Sequence, residues 1–407
     1  MSATHRRDLR TGRSLWAARR LPALPRHRLS RRAATDVVVV GAGISGAMVA
    51  DALSEAGLAV LVVDRRPPFA GSTAASTALL QYEIDTPLTH LAARLGERRA
   101  IRVWRRSKLA LDALRERVRR LALDADCTTH DSLYLDGDLL GRRALAAEGE
   151  ARRRAGFEVS HVGEAELRRR AGIVGRTALV GHGALAADPR RLAHGFLAAA
   201  LARGARLASP VEVVAVDAAA SRVRAHLAGG AWITARWLVF ATGYELARRV
   251  PRRGHWIAST WAFATRPQRR PPWPGREFIW EAADPYLYLR VGPGHRVICG
   301  GADEPFADAA SRDALLPAKV AVLQRKLRAL MPDLDVEAEF AWCGSFGGSA
   351  TGTPTIGAVP GLPHCFAVLG YGGNGITFSA LAAQLVRTAI LGGRDPDADL
   401  FAFRRRR

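Results

Sequence analysis

Apolar residues fill positions 37–40 and again 58–63, and the stretch between them is small and largely apolar: "DVVVVGAGISGAMVADALSEAGLAVLVVDR", residues 36–65. Runs that are apolar on both faces predict strands of a parallel sheet covered by helices. The interval between them, closed by Gly57, predicts the connecting helix, so the whole reads as one βαβ unit. A second helix is predicted from Asp188, where an N-cap Asp and Pro189 precede apolar residues at Leu192, Phe196, Leu197 and Leu201 and a closing Gly204. Alternating strands at 211–217 and 222–228, a Gly229-Gly230 hairpin and a buried strand ending in Ala241, Thr242 and Gly243 come after it. Near the C-terminus a strand (366–369) enters a glycine-rich turn and then a helix that runs through Val386. In "DPYLYLR", residues 284–290, strict alternation puts Tyr286, Tyr288 and Arg290 on one face and Leu287 and Leu289 on the other.

A chain of 407 residues is too long for one ordinary core and predicts two domains, possibly interleaved. No apolar run reaches the roughly 20 residues of a bilayer span, and no apolar signal core follows the N-terminus, so a cytoplasmic location is expected. Cys127, Cys299, Cys343 and Cys365 have neither metal-ligand spacing nor the density of a disulfide scaffold. Free thiols and no metal site are expected. The formal charge of +22 is almost all arginine, with Lys108, Lys319 and Lys326 the three lysines. A bias toward arginine accounts for that as well as an affinity for nucleic acid does, and locates no phosphate groove. The basic segments 19–32 and 404–407 read as solvated arms, with residues 1–35 an N-terminal arm and 396–407 a C-terminal tail. Removal of residues 1–30 is then expected to leave cofactor content unchanged.

The turn "GAGISG" satisfies the dinucleotide fingerprint, and Asp64 stands at the end of the second strand. Gly41 permits the tight turn, Gly43 lets the backbone approach a pyrophosphate, and Gly46 lets helix pack against strand. The helix start at Ile44 and Ser45 offers free N–H groups to phosphates, and a carboxylate at Asp64 can accept both ribose hydroxyls. The segment beyond Asp64 distinguishes FAD from NAD. Arg65 leads into a small-residue loop, Gly71, Ser72, Thr73, Ala74, Ser76 and Thr77, in place of a continuing βα repeat.

These elements and "GSTAAST", "LLQYE", "YLYLR" and "GYGGNGIT", in that order, resemble the FAD-dependent oxidoreductases of the D-amino acid oxidase, glycine oxidase and sarcosine oxidase superfamily, over about residues 36–395. The resemblance implies an α/β fold: a glutathione-reductase-type FAD-binding Rossmann domain with an inserted α+β substrate domain built on an antiparallel sheet. The FAD domain is expected in 36–90, 170–250 and 340–395, and the substrate domain in 91–169 and 251–339. The amphipathic helix around 109–123 and the strand-rich 256–300 would belong to the latter. Besides the residues above, the resemblance assigns Val213, Ala241, Thr242 and Gly243 to FAD binding, and with them Gly372, Gly373, Asn374, Gly375, Ile376 and Thr377.

The implied reaction is oxidation of the C–N bond of an amine or amino acid by hydride transfer to flavin N5, followed by hydrolysis of the imine; dioxygen or a carrier accepts the electrons. Arg290 is the candidate partner of a substrate carboxylate, with Tyr286 and Tyr288 as hydrogen-bonding walls. One departure from the family pattern is that "WCGSFGGSATGTPTIG", residues 342–357, lacks the arginine that amino-acid oxidases often carry there, which leaves neutral amines open. Cys343 in this stretch does not have the spacing of a covalent flavin attachment. His182 and His255 receive no role. Action on a modified tRNA base and flavin binding without turnover are the competing readings.

A side chain at position 43 would occupy the space the pyrophosphate needs. Gly43→Val is expected to be purified without the absorbance bands of bound oxidised flavin; full FAD occupancy would refute this placement of the cofactor.

Overall fold

Two sheets divide the chain in the computed structural model, which describes residues 2–403. In the first, the order is Thr355–Ala358, Cys365–Leu369, Trp232–Phe240, Arg32–Val40, Val60–Val63, Arg206–Ala208. Arg32–Val40 lies parallel to both of its neighbours. Alternate valines explain why its central run is continuous. Val37 and Val39 pack with the helices Ile44–Glu55, Pro189–Ala202 and Gly375–Ile390, while Val38 and Val40 pack with the antiparallel meander Val213–Ala218, Val223–Leu227 on the other face. The predicted cap also forms, with the Asp188 carboxylate accepting the Arg190 and Arg191 N–H groups at 2.9 and 3.1 Å.

The second sheet runs Arg10–Arg13, Ala338–Ser349, His255–Thr265, Val297–Glu304, Leu287–Val291, Phe278–Glu281, Thr128–Leu135, Ala178–Ala186, Leu79–Leu80. Its pairs are antiparallel except for Phe278–Glu281 beside Thr128–Leu135. The helix Leu316–Leu330 buries Leu323 and Leu327 against Trp261, Phe263, Leu287 and Leu289 on one face. The opposite face turns toward the first domain.

Several expected boundaries move. The strands Leu79–Leu80, Ala178–Ala186 and Ala338–Ser349, expected in the FAD domain, belong to the second sheet. The helix Glu97–Arg120, expected in the substrate domain, shares a core with the first: its Ala100, Val103, Trp104 and Leu111 join Val37 and Leu381. Arg117 fixes it there by pairing with Asp51 at 2.7 Å. Periodicity gives the type of such elements but not the surface they cover.

The N-terminal segment is a correction too. Arg10–Arg13 pairs with Ala338–Ser349, Leu9 and Trp16 are buried, and the Trp16 Nε1–H donates to the Ser76 carbonyl at 2.6 Å. Arg10 Nε donates to the Ala70 carbonyl (2.9 Å) and Arg6 Nε to Glu212 (2.9 Å). Residues 2–18 are thus part of the fold, with Arg6 and Arg10 used on a carboxylate and a carbonyl, whereas the basic segment 19–32 is largely exposed. At the other end, Ala398–Phe401 is a short helix with Leu400 and Phe401 buried, and Arg106 pairs with Asp395 at 2.9 Å. Only positions 404–407 of the expected tail lie outside the described residues.

Truncating a fully buried Trp costs about 3 to 5 kcal/mol. Trp16→Ala is expected to lower unfolding free energy by about that amount in denaturant titration, and deletion of residues 2–19 to lower both Tm and retained flavin. Unchanged values in both would restore the solvated arm.

Candidate active site

The cavity begins at the turn after Arg32–Val40. Gly41 has φ +117°, and a Cβ there would meet the Ala241 carbonyl at 2.3 Å. A Cβ on Gly46 would meet the Gly41 carbonyl at 1.8 Å, so Gly46 serves close packing and does not line the cavity. Gly43 differs: its added Cβ would meet only the Thr73 hydroxyl, at 3.2 Å. The helix Ile44–Glu55 has no side-chain cap from Gly43; Thr73 Oγ1 accepts the Ile44 N–H at 3.0 Å, and Ile44 and Ser45 line the cavity.

Asp64 sits at the cavity wall, where its Oδ2 accepts the Ala42 N–H (2.7 Å) and its Oδ1 the Arg66 N–H (2.8 Å). Burial pushes its carboxyl up, and those two amides pull it part of the way back. Arg65 and Arg66 both pair with Glu245, Arg66 at 2.8 Å. Among the described residues these are the cations lining the cavity. Gly71, Ser72, Thr73, Ser76 and Thr77 line it as expected, with Val213, Ala241, Thr242 and Gly243. Ala74 does not: it is buried away from the cavity and Ala75 takes its place, because the loop closes as the 3-10 turn Ser72–Ala75.

The C-terminal turn forms the far side. Gly372, Gly373, Asn374, Gly375, Ile376 and Thr377 all line the cavity. Asn374 and Thr377 use their side chains to hold residues 81–85: Asn374 Nδ2 donates to the Glu83 carbonyl (2.8 Å) and Thr377 Oγ1 to the Gln81 carbonyl (2.8 Å). The Gly373 N–H donates to Asp85 Oδ2 at 2.6 Å.

Beyond this turn the cavity ends against aromatic rings. Tyr286 and Tyr288 both line it, their ring centroids 5.3 Å apart, together with Trp280, Tyr244 and Tyr371. Burial pushes the Tyr288 phenol well up, against hydrogen bonds with Thr260 and Thr77. Sequence reasoning missed two acids here. Asp85 and Asp303 both line this end. Burial raises both, Asp303 to about 6. The signal for Asp303 was the preceding "CGG" within a strand, since glycine there marks a close approach. A Cβ on Gly300 would meet the Tyr288 hydroxyl at 2.4 Å, so the phenol lies across that strand.

Arg290 is not at this end. The alternation is right, but two residues further along the strand the guanidinium has left the cavity: Nε donates to the Thr77 carbonyl (2.8 Å) and Nη2 to the Ala187 carbonyl (2.8 Å), with the Trp16 ring 5.2 Å away. Burial lowers it to about 10. Nε and Nη2 are thus engaged by backbone carbonyls, and Arg290 does not line the cavity in which a substrate carboxylate would lie. Cys343 is likewise off the cavity, its Sγ donating to Asp313 at 3.3 Å. His182 meets Asp131 (3.0 Å) and His255 meets Thr355 (3.0 Å), both away from the rings.

With this geometry, the model of the family DAO, FAD dependent oxidoreductase, matches residues 36–388. The chain belongs to that family. Its similarity to the probable oxidoreductase OrdL of Haemophilus influenzae is 27% identity over 106 residues, which is 26% of this chain and 22% of that protein's length. In structure it is similar to glycine oxidase from Geobacillus kaustophilus (TM-score 0.75, 19% identity, 92% of this chain and 99% of that one) and to L-proline dehydrogenase from P. horikoshii (0.76, 16%, 91% and 97%). It is also similar to NikD, an amino acid oxidase of nikkomycin biosynthesis (0.73, 17%, 91% and 97%). At these identities the likeness is one of fold. FAD is the cofactor of the family, and the residues fit it: a 12-residue helix starting at the glycine turn and lining the cavity at Ile44 and Ser45, an enclosed carboxylate at Asp64, a Gly43 with no Cβ to fill the cavity beside Thr73, and a buried Ser72 hydroxyl without a protein partner.

The Arg290 fork predicts a structural phenotype. Arg290→Lys keeps the charge and loses one of the two anchors, at a cost of about 2 kcal/mol in stability, with weaker flavin retention through Thr77. Discrimination between an amine and its carboxylated counterpart is expected to be unchanged, as measured by steady-state kinetics.

Proposed function

We propose that the protein oxidises the C–N bond of a small amine or amino acid. A hydride leaves the carbon that bears nitrogen, the nitrogen loses a proton, and water converts the imine to a carbonyl compound and an amine. The observation that carries this reading is one cavity lined both by the dinucleotide-type Gly41 turn with Asp64 and by the rings of Trp280, Tyr286 and Tyr288. FAD, when bound, supplies the two-electron acceptor for the hydride. The chain's own part is placement and exclusion of water. The rings enclose the alkyl portion of the substrate, the Gly373 amide and Asp85 fix the turn beneath it, and the enclosed phenols of Tyr286 and Tyr288 offer hydrogen bonds without ionising. Hydride departure needs a free nitrogen lone pair, so an amine delivered neutral requires no strong base. The amino-acid chemistry named for glycine oxidase, NikD and L-proline dehydrogenase supports the same reaction class.

Anaerobic mixing of the holoprotein with a panel of primary and secondary amines and amino acids is expected to bleach the oxidised flavin band and release one carbonyl product per flavin. Bleaching by RNA alone would replace this reading with the nucleic-acid one, and a flavin inert to every compound would make the protein a binder.

A further inference from the structure

Charge at the closed end of the cavity is one-sided. Asp85 and Asp303 line it, and the arginines that reach the cavity, Arg65 and Arg66, are committed to Glu245. Glu83, also on the wall, is already satisfied by Ser132 Oγ at 2.6 Å and faces Arg152 at 3.9 Å. Asp303 is different. The Thr260 side chain hydrogen-bonds its carboxylate, but Oδ1 is buried and has no partner. Lys319, whose charge acts on Asp303 and pulls its carboxyl down, is itself bound to Glu304 (2.5 Å) and to the Ala302 carbonyl (3.0 Å), with its ammonium over the Trp261 ring. Asp85 accepts the Gly373 amide and has no cationic partner among the described residues.

Two neighbouring half-buried carboxylates without an ion pair are costly when both are ionised, and a proton or the positive charge of a ligand relieves that cost. The walls suit such a ligand, because the rings of Trp280, Tyr286 and Tyr288 face the same space and aromatic faces attract ammonium groups. A substrate carboxylate, by contrast, would meet two like charges and no free guanidinium. A simple monoamine would neutralise one acid and strand the other.

From this we infer that the substrate is a dicationic amine, an alkyl chain carrying a second ammonium and no carboxylate, with Asp85 and Asp303 each matched to one nitrogen. The inference rests on the amine-oxidation reading for the chemistry but not for the binding. It places Asp303 as a specificity-determining residue, and Asp85 as its partner on the side of the C-terminal turn.

The test is equilibrium binding to the holoprotein, read anaerobically by perturbation of the flavin spectrum and by thermal shift, with three probes that share a carbon count: 1,5-diaminopentane, 1-aminopentane and 5-aminopentanoate. The diamine is expected to bind about tenfold or more tightly than the monoamine, and the amino acid more weakly than either. Asp303→Asn and Asp85→Asn should each remove most of the diamine's advantage. Because each substitution neutralises an enclosed charge with near-identical shape, neither should lower the Tm of the ligand-free holoprotein. Equal affinity for diamine and monoamine, preference for the amino acid, or a diamine advantage that survives both substitutions would overturn the inference. If the diamine binds in an Asp303-dependent manner yet no amine reduces the flavin, the oxidation reading fails and the dicationic site stands. If monoamines reduce the flavin and the diamine shows no advantage, the reverse holds.

Discussion

A buried guanidinium joins the two halves of this protein. Arg290 comes from the second sheet, yet its donors end on the carbonyl of Thr77, in the loop that walls the cofactor groove, and on that of Ala187, just before the helix Pro189–Ala202. Charge-assisted bonds to two carbonyls set how far the second sheet stands from the dinucleotide turn. The lowered pKa of Arg290 records the cost of holding a cation there without a carboxylate.

How much of this was legible depended on whether the physics was local. Strands covered on both faces produce continuous apolar runs, so the βαβ unit at Arg32–Val63 could be read directly, as could the Asp188 cap and the Gly41 turn. Alternation groups Tyr286 and Tyr288 correctly. Arg290 shares their face, but a shared face says nothing of how far along it the cavity extends. The packing of Glu97–Arg120, the pairing of Arg10–Arg13 and the position of Asp303 depend on partners remote in sequence, for which periodicity carries no signal. Leu9 and Trp16 were hidden by the arginines around them.

The contrast between the whole and its cavity is electrostatic. A formal charge of +22 surrounds a pocket whose closed end holds unpaired acids. Much of the arginine is tied into pairs such as Arg102 with Asp397 and Arg191 with Asp126, each at 2.7 Å, which dilutes the long-range field without removing it.

The strand Arg10–Arg13 has a consequence for biosynthesis. Its partner Ala338–Ser349 lies far along the chain, so the ladder between them cannot close until everything that separates them has been made. Closing so long a loop has a large entropic cost and is slow relative to local folding of the βαβ unit. With the ladder closed, Leu9 stands against Gly71 and Trp16 against Ser76, so the N-terminal strand covers the loop that walls the cofactor groove and its release would have to precede departure of a bulky nucleotide on that side.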